Sequence, residues 1–374
     1  MEREGYKELL KLCTMMIKLI PQMEAVTVGV IEKIRVQMRE IPIQQTVNLP
    51  IKKQSYSLEQ VLREANLSLY DQFCETLYKM GFVYIEKALL APYLQGSVLI
   101  RVQHLLGRLV KEMNKRPWEL LKFASLPLSE EYFLYHSVNV CILSMNIGLG
   151  LGYSESDLHK LGVASLFHDL GMFQLPRVLL ESPREFTREE QKQLWRHPAL
   201  GVKKAEALSF LSSDEVKQAI YQEHEREDGS GYPEREEGEG IHEFAKIIAI
   251  SDTFEALCHT RPYREALLPH EAMVSVIKMA GKTLDRKIMK VFINRMALFP
   301  VGSFVFLSTG ETAQVIEAHA DSPLRPVTRV VFNREGEPLR FRKVIDLKRR
   351  GSIKIVRPVT LRHHELDGNL PLLI

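Results

Sequence analysis

The stretch Leu161-Gly-Val-Ala-Ser-Leu-Phe-His168-Asp169-Leu-Gly171 decides how this chain reads. Its first seven residues are apolar or small, and the spacing predicts a helix over 155–170 that is buried on most sides. His168 and Asp169 end that apolar run. Burying an imidazole or a carboxylate without partners costs several kcal/mol, so both need company. A lone histidine so placed is more often a satisfied core residue than a ligand. Similar residues recur, however, at intervals that suit separate helices: His136, His197, His224 and Asp252. Each has apolar neighbours, as in Val216-Lys-Gln-Ala-Ile-Tyr221 before His224 or Ile247-Ile-Ala-Ile-Ser251 before Asp252. Imidazoles and carboxylates converging from several helices point to a cation site with nitrogen and oxygen ligands and no thiolate, suited to Fe, Mn or Zn. An Asp beside a His can bridge two metals, and a bridged pair serves in-line attack on a phosphate diester.

Outward from this segment the chain divides into three zones. Residues 1–120 read as a helical region of unknown role, for example around 58–64 and 70–89, with 42–57 as a linker or short hairpin. Residues 121–298 are again helical, with helices expected at 130–150, 155–170, 187–208, 212–225, 242–258 and 269–280. From Pro300 the period changes. Ser303-Phe-Val-Phe-Leu and Thr312-Ala-Gln-Val-Ile, joined by Ser308-Thr-Gly-Glu, read as a β-hairpin, and 327–336 repeats the pattern. The expected fold class is mainly α, with a small β-rich module over 299–374.

Composition excludes several classes. At 374 residues, with 45% hydrophobic and 26% charged side chains, the chain is ordinary globular protein rather than disordered. A net charge of +3 gives no global pull on polyanions. Cys13, Cys74, Cys141 and Cys258 are far apart with no CxxC, which argues against a disulfide framework or zinc ribbon and fits a reducing compartment. Glu2, Glu4 and the lysines after them spoil a secretory signal, and no run of about 18 apolar residues is present. The expected location is the cytoplasm, with no membrane span. Nine Lys or Arg against the single Asp346 lie between Arg340 and Arg362. They form a solvated strand face or a docking patch for an anionic partner.

The middle zone resembles the HD-GYP family, a branch of the HD phosphohydrolases. The blocks that carry the resemblance are Tyr132-x-x-x-His136-Ser-Val-Asn-Val, His168-Asp169-Leu-Gly and Arg196-His197-Pro-x-x-Gly201. They continue with His224-Glu-Arg-Glu-Asp228-Gly-Ser-Gly-Tyr-Pro233, Asp252-Thr-Phe-Glu-Ala-Leu and Arg261-Pro-Tyr-Arg264. Six blocks in order cover 121–298, and the segment after Phe299 is similar to a tail often found behind such domains. The resemblance implies a helical HD-domain bundle with two divalent ions, iron or manganese. It also implies hydrolysis of cyclic di-GMP to linear pGpG or GMP, in signal transduction. It assigns His136, His168, Asp169 and Asp252 to one metal, and Asp169, His197 and His224 to the second, with His168 and Asp169 as the catalytic pair. Gly231, Tyr232, Pro233, Arg261 and Arg264 would bind substrate.

Departures from the family pattern fall inside this set. Met172 stands where the family has Lys, and a thioether cannot donate to a phosphate. Glu223 precedes His224 where the family pairs two histidines, so a carboxylate joins the expected metal ligands. Tyr132 replaces the acid that a third metal would use, which favours a dinuclear site. Leu284-Asp-Arg286 replaces the usual Phe-Asp-Pro at a helix start. The expected activity is metal-dependent phosphodiesterase action on cyclic di-GMP. The alternative is a catalytically degenerate module that binds the dinucleotide or a partner protein as an effector. A protein partner would use the N-terminal helices or the basic C-terminal segment, and a homodimer is a further expectation.

Overall fold

The computed structural model describes residues 96–121, 132–176, 179, 184, 186–206, 213–259, 266–319, 321–339 and 343–359. All belong to one compact unit that spans Leu67–Ile374. The linker or hairpin expected over 42–57, and the helices expected before residue 96, lie outside the described residues.

Helix α3 (Tyr132–Leu151) runs through the middle, and every residue from 136 to 148 is buried. A helix apolar on all sides has to be surrounded. It packs against α4 (Glu155–Leu166), α8 (Glu243–Cys258) and α10 (Arg286–Met296). The core joins Val140, Ile142 and Leu143 of α3 to Ile247, Ile248 and Ile250 of α8. Helices α1 (Gly96–Lys115) and α2 (Pro117–Leu121) add Val102, Leu105, Leu106, Leu120 and Leu121 to the same core. Each such side chain contributes about 1.5–3 kcal/mol on full burial.

Helices α3, α8 and α9 (Pro269–Met279) fall where the periodicity put them. Two other expected helices are broken. The helix expected over 155–170 ends at Leu166 and gives way to a 3-10 turn, His168–Gln174. The helix expected over 187–208 is two, α5 (Arg188–Leu194) and α6 (His197–Glu206). Helix α7 (Asp214–Gln222) ends one residue before Glu223. Helix α10 adds to the expected set; Asp285 caps it by accepting from the Ile288 amide at 2.8 Å, so the altered Leu284-Asp-Arg286 still starts a helix.

The C-terminal module is a five-stranded antiparallel sheet in the order β4-β3-β2-β1-β5. Its strands are β1 (Phe304–Leu307), β2 (Thr312–Glu317), β3 (Val327–Phe332), β4 (Val344–Asp346) and β5 (Ile355–Val359). The expected hairpin pairs Phe304 with Gln314 and Val305 with Ala313. Val305, Leu307, Ala313, Val315, Val330 and Ile345 fill its own small core. Trp118 and Leu298 touch this core and the helical one. In the basic segment, Arg349 pairs with Asp346 and Lys348 with Asp321, so part of its charge is locally compensated. No described helix is long and apolar enough to cross a membrane.

Candidate metal centre

The two helix breaks orient histidines. Because α4 stops at Leu166, the Ser165 carbonyl is released from the helical ladder and accepts from His168 Nδ1–H at 2.8 Å. In a continuous helix the Leu194 carbonyl would accept from the amide of residue 198. Pro198 has no N–H, so that carbonyl accepts from His197 Nδ1–H at 2.8 Å instead. The third ring is held by a carboxylate: His136 Nδ1–H donates to Glu255 Oε2 at 2.5 Å. Glu255 also accepts from Asn139 Nδ2 at 3.0 Å and contacts His259. In the tautomer that donates from Nδ1, each Nε2 carries a lone pair, the form a metal ligand needs.

Those lone pairs converge on acidic oxygens. His136 Nε2 lies 3.2 Å from His168 Nε2, 3.3 Å from Asp252 Oδ1 and 3.5 Å from Asp169 Oδ2. On the other side of Asp169, its Oδ1 lies 3.5 Å from His197 Nε2, which is 3.4 Å from Glu223 Oε1. Glu223 Oε2 turns back to His168 Nε2 at 3.7 Å. Metal–ligand bonds of about 2.1 Å set ligand–ligand edges of about 3.0 Å in an octahedron and about 3.4 Å in a tetrahedron, and the separations here run from 3.2 to 3.7 Å, at or slightly beyond those edges. His197 Nε2 and both Glu223 oxygens are buried with no hydrogen-bond partner. Two groups of ligand atoms result, Asp169–His197–Glu223–His224 and His136–His168–Asp169. Acceptors facing acceptors in a buried pocket fit divalent cations and little else.

Glycines bring the pieces together. A Cβ at Gly171 would collide with the His197 carbonyl and lie 2.6 Å from the Gly201 amide, so the 3-10 turn and α6 meet only through glycine. A Cβ at Gly231 would lie 2.5 Å from the His224 carbonyl and Glu225 Cα. The space at Gly231 is therefore filled by the chain's own backbone. Glu225, one of a run of acids that reads as a solvated loop, is buried and accepts from the Glu234 and Arg235 amides at 2.7 and 3.0 Å. This folds the loop back so that Tyr232 stacks on His224, centroids 4.8 Å apart. Half-buried Pro233 follows through a cis peptide.

The electrostatics follow from burial and neighbours. Burial pushes Asp169 and Asp252 up, but the imidazoles around them outweigh it and leave both below the usual carboxylate range. Glu255 behaves likewise through His136. Glu223 goes the other way, raised by burial. His224 is pushed well below the ordinary imidazole value by burial and by His197, which keeps it a neutral donor.

Of the expected site residues, His136, His168, Asp169, His197, Glu223, His224 and Asp252 are brought together. Tyr232 lies against them. Arg261 and Arg264 lie outside the described residues. Met172 is half-buried on the 3-10 turn, three residues after Asp169. Sequence reading did not single out Glu255 or Asn139. Their signal was a spacing of three from a ligand on the same helix, Asp252 to Glu255 and His136 to Asn139.

The HD domain family profile matches residues 112–288, and the profile of the KOW domain associated with HD domains matches 304–366. Cyclic di-GMP phosphodiesterase PA4108 of Pseudomonas aeruginosa is 30% identical over 237 residues, 63% of this chain and 57% of that protein. Cyclic di-GMP phosphodiesterase PdeB of Borreliella burgdorferi is 24% identical over 237 residues, 63% of this chain and 60% of that protein. The chain thus spans less than two thirds of the length of these relatives. Among solved structures, the HDG"Y"P protein Bd1817 of Bdellovibrio bacteriovorus matches in fold with a TM-score of 0.50 and 15% identity, over 59% of this chain and 70% of that one. Residues 112–288 thus match the HD domain family, and residues 304–366 match the KOW domain associated with it.

Proposed function

We propose that this chain is a metal-dependent phosphodiesterase that hydrolyses cyclic di-GMP to pGpG or GMP. The observation that carries the reading is Asp169, whose two oxygens divide between two histidine groups: Oδ2 faces His136 and His168, and Oδ1 faces His197. His136, His168, Asp169 and Asp252 would hold one ion. Asp169, His197, Glu223 and His224 would hold the other. Charge supports two divalent ions: Asp169, Glu223, Asp252 and Glu255 bring four negative charges into a buried cluster, and 2 × (+2) cancels them. Iron or manganese suits the mixed imidazole–carboxylate set. When bound, such a pair supplies Lewis acidity, lowering the pKa of a water and neutralising charge on phosphate oxygens.

The chain's own residues supply the rest. Ser165, Leu194 and Glu255 fix the tautomers of His168, His197 and His136. His168 and Asp169 are the pair on which attack is centred, and the Gly231-Tyr232-Pro233 loop, with Arg261 and Arg264, would flank the diester. With Glu223 in place of a histidine the loaded centre is neutral, so it attracts an anionic diester less than a centre with one carboxylate fewer. The names of the relatives support the substrate. A cytoplasmic location fits the widely spaced cysteines, of which Cys141 and Cys258 are buried. A partner or second copy would be met through residues 1–120 or the basic segment 340–362, outside the metal domain taken as 121–298.

The test is turnover of cyclic di-GMP by the full chain, loaded with Fe(II) or Mn(II) without oxygen, products separated by chromatography. Linear pGpG or GMP is expected, with product and metal both lost in the His168→Ala/Asp169→Ala double variant. Metal bound with the dinucleotide left intact would favour the effector reading, which the Met172 and Glu223 departures motivate.

A further inference from the structure

Trp195 is the large aromatic side chain that the metal centre does not use. The residue is 42% exposed, although it sits two residues before His197. It closes α5, where its amide donates to the Gln191 carbonyl at 2.9 Å. The indole stacks on Tyr232 with centroids 5.3 Å apart and planes 21° apart. Tyr232 in turn stacks on His224 at 4.8 Å and 26°, and meets His197 edge-on at 6.1 Å. One phenol face has room for one stacked ring, so His224 and Trp195 take opposite faces of Tyr232. The result is a three-ring column that starts at a metal-group histidine and ends in a partly exposed indole.

We propose that the partly exposed indole of Trp195 is the stacking platform for a purine base of the substrate. The inference rests on the phosphodiesterase reading for the identity of the ligand, but not for the geometry. A diester held at the metal cluster must carry its nucleosides away from it, since the pocket around His197 and Glu223 is already filled by protein. A flat base next to that cluster needs a flat partner at its rim. Trp195 is such a surface, and its stacking on Tyr232 already restricts it, so less conformational freedom is lost when a base stacks. Stacking is tolerant of base identity because every purine has a π-face. The platform therefore sets affinity and orientation without choosing between guanine and adenine.

The chain has two tryptophans, Trp118 and Trp195. Trp118→Phe leaves Trp195 as the one indole reporter in the full chain. Titrating the metal-free protein with cyclic di-GMP should quench its fluorescence saturably. In the metal-loaded protein, Trp195→Ala should raise KM about 5- to 100-fold while metal content and kcat stay within a few-fold. Trp195→Phe should restore most of the affinity. Trp195→Leu, which keeps an apolar contact with Tyr232 but has no π-face, should behave like the alanine variant. Turnover with unchanged KM in the alanine variant and no quenching would overturn the platform and leave the phosphodiesterase reading standing. A leucine variant equal to wild type would also overturn it, since bulk rather than stacking would then suffice. Quenching without turnover in any variant supports the platform and defeats the enzymatic reading instead.

Discussion

Glu255 shows how one side chain governs a site it does not enter. It is fully buried, and its Oε2 accepts the hydrogen bond from His136 Nδ1–H, which turns Nε2 toward His168, Asp169 and Asp252. Such carboxylate–histidine pairs raise ligand basicity and fix the ring, and removing them typically weakens metal binding about 10- to 100-fold. Glu255→Gln is therefore expected to weaken binding of the ion at His136 by about that factor. Titration calorimetry with Mn(II) against an unchanged far-UV spectrum would check it, and unaltered affinity would remove Glu255 from the centre. Met172 poses the opposite case, a position where a donor is missing. A preorganised donor to a charged transition state is worth about 10²–10³ in rate, so Met172→Lys should raise kcat toward that range. An unchanged kcat would mean that this position does not face the substrate.

Two element boundaries do more for the site than the helices they separate. The α5–α6 junction exists because Pro198 cannot donate to Leu194, and the orphaned carbonyl then orients His197. Pro198→Ala returns a competing N–H. Its expected effect is a longer, steadier helix together with metal affinity lowered about 10-fold or more at the His197 group. Metal stoichiometry and circular dichroism on the same sample separate the two effects, and retained affinity would count against the boundary argument. The 3-10 turn at His168–Gln174 works with it, packing on α6 through Gly171 and Gly201. Periodicity predicted one helix through each break because apolar spacing persists across both. Which carbonyl a proton prefers is a local competition that a hydrophobic pattern does not record.

At the scale of the molecule, three helices and two turns deliver acids and imidazoles into one buried cluster, and folding alone must bear their desolvation. Cations that bind the folded chain relieve that cost. Mn(II) at about 100 times its Kd is expected to stabilise the protein by about 2.7 kcal/mol per site, seen as a concentration-dependent rise in Tm. The rise should vanish in the His168→Ala/Asp169→Ala variant. An equal rise in that variant would place the bound ions elsewhere. The sheet module shares Trp118 and Leu298 with the helical core, so the two packed cores are joined by side chains rather than by connectivity alone.

Much of the candidate centre was legible in the residue pattern alone. His136, His168, Asp169, His197, His224 and Asp252 were legible because polar residues on apolar helices have to be compensated, and their order matched one family. The hairpin before Glu311 was equally legible, since period two and a glycine turn are local signals. Tertiary structure decided what no local signal could. It set Glu223 inside the cluster rather than on a helix surface, because α7 ends just before it. It made Glu255 the partner of His136 across 119 residues and turned Glu225 from a loop acid into a buried clasp. It also stacked Trp195 on Tyr232, an arrangement set by the fold of a loop 37 residues downstream. Composition and spacing state which groups need partners, whereas the choice of partner depends on distances that only the packed chain defines.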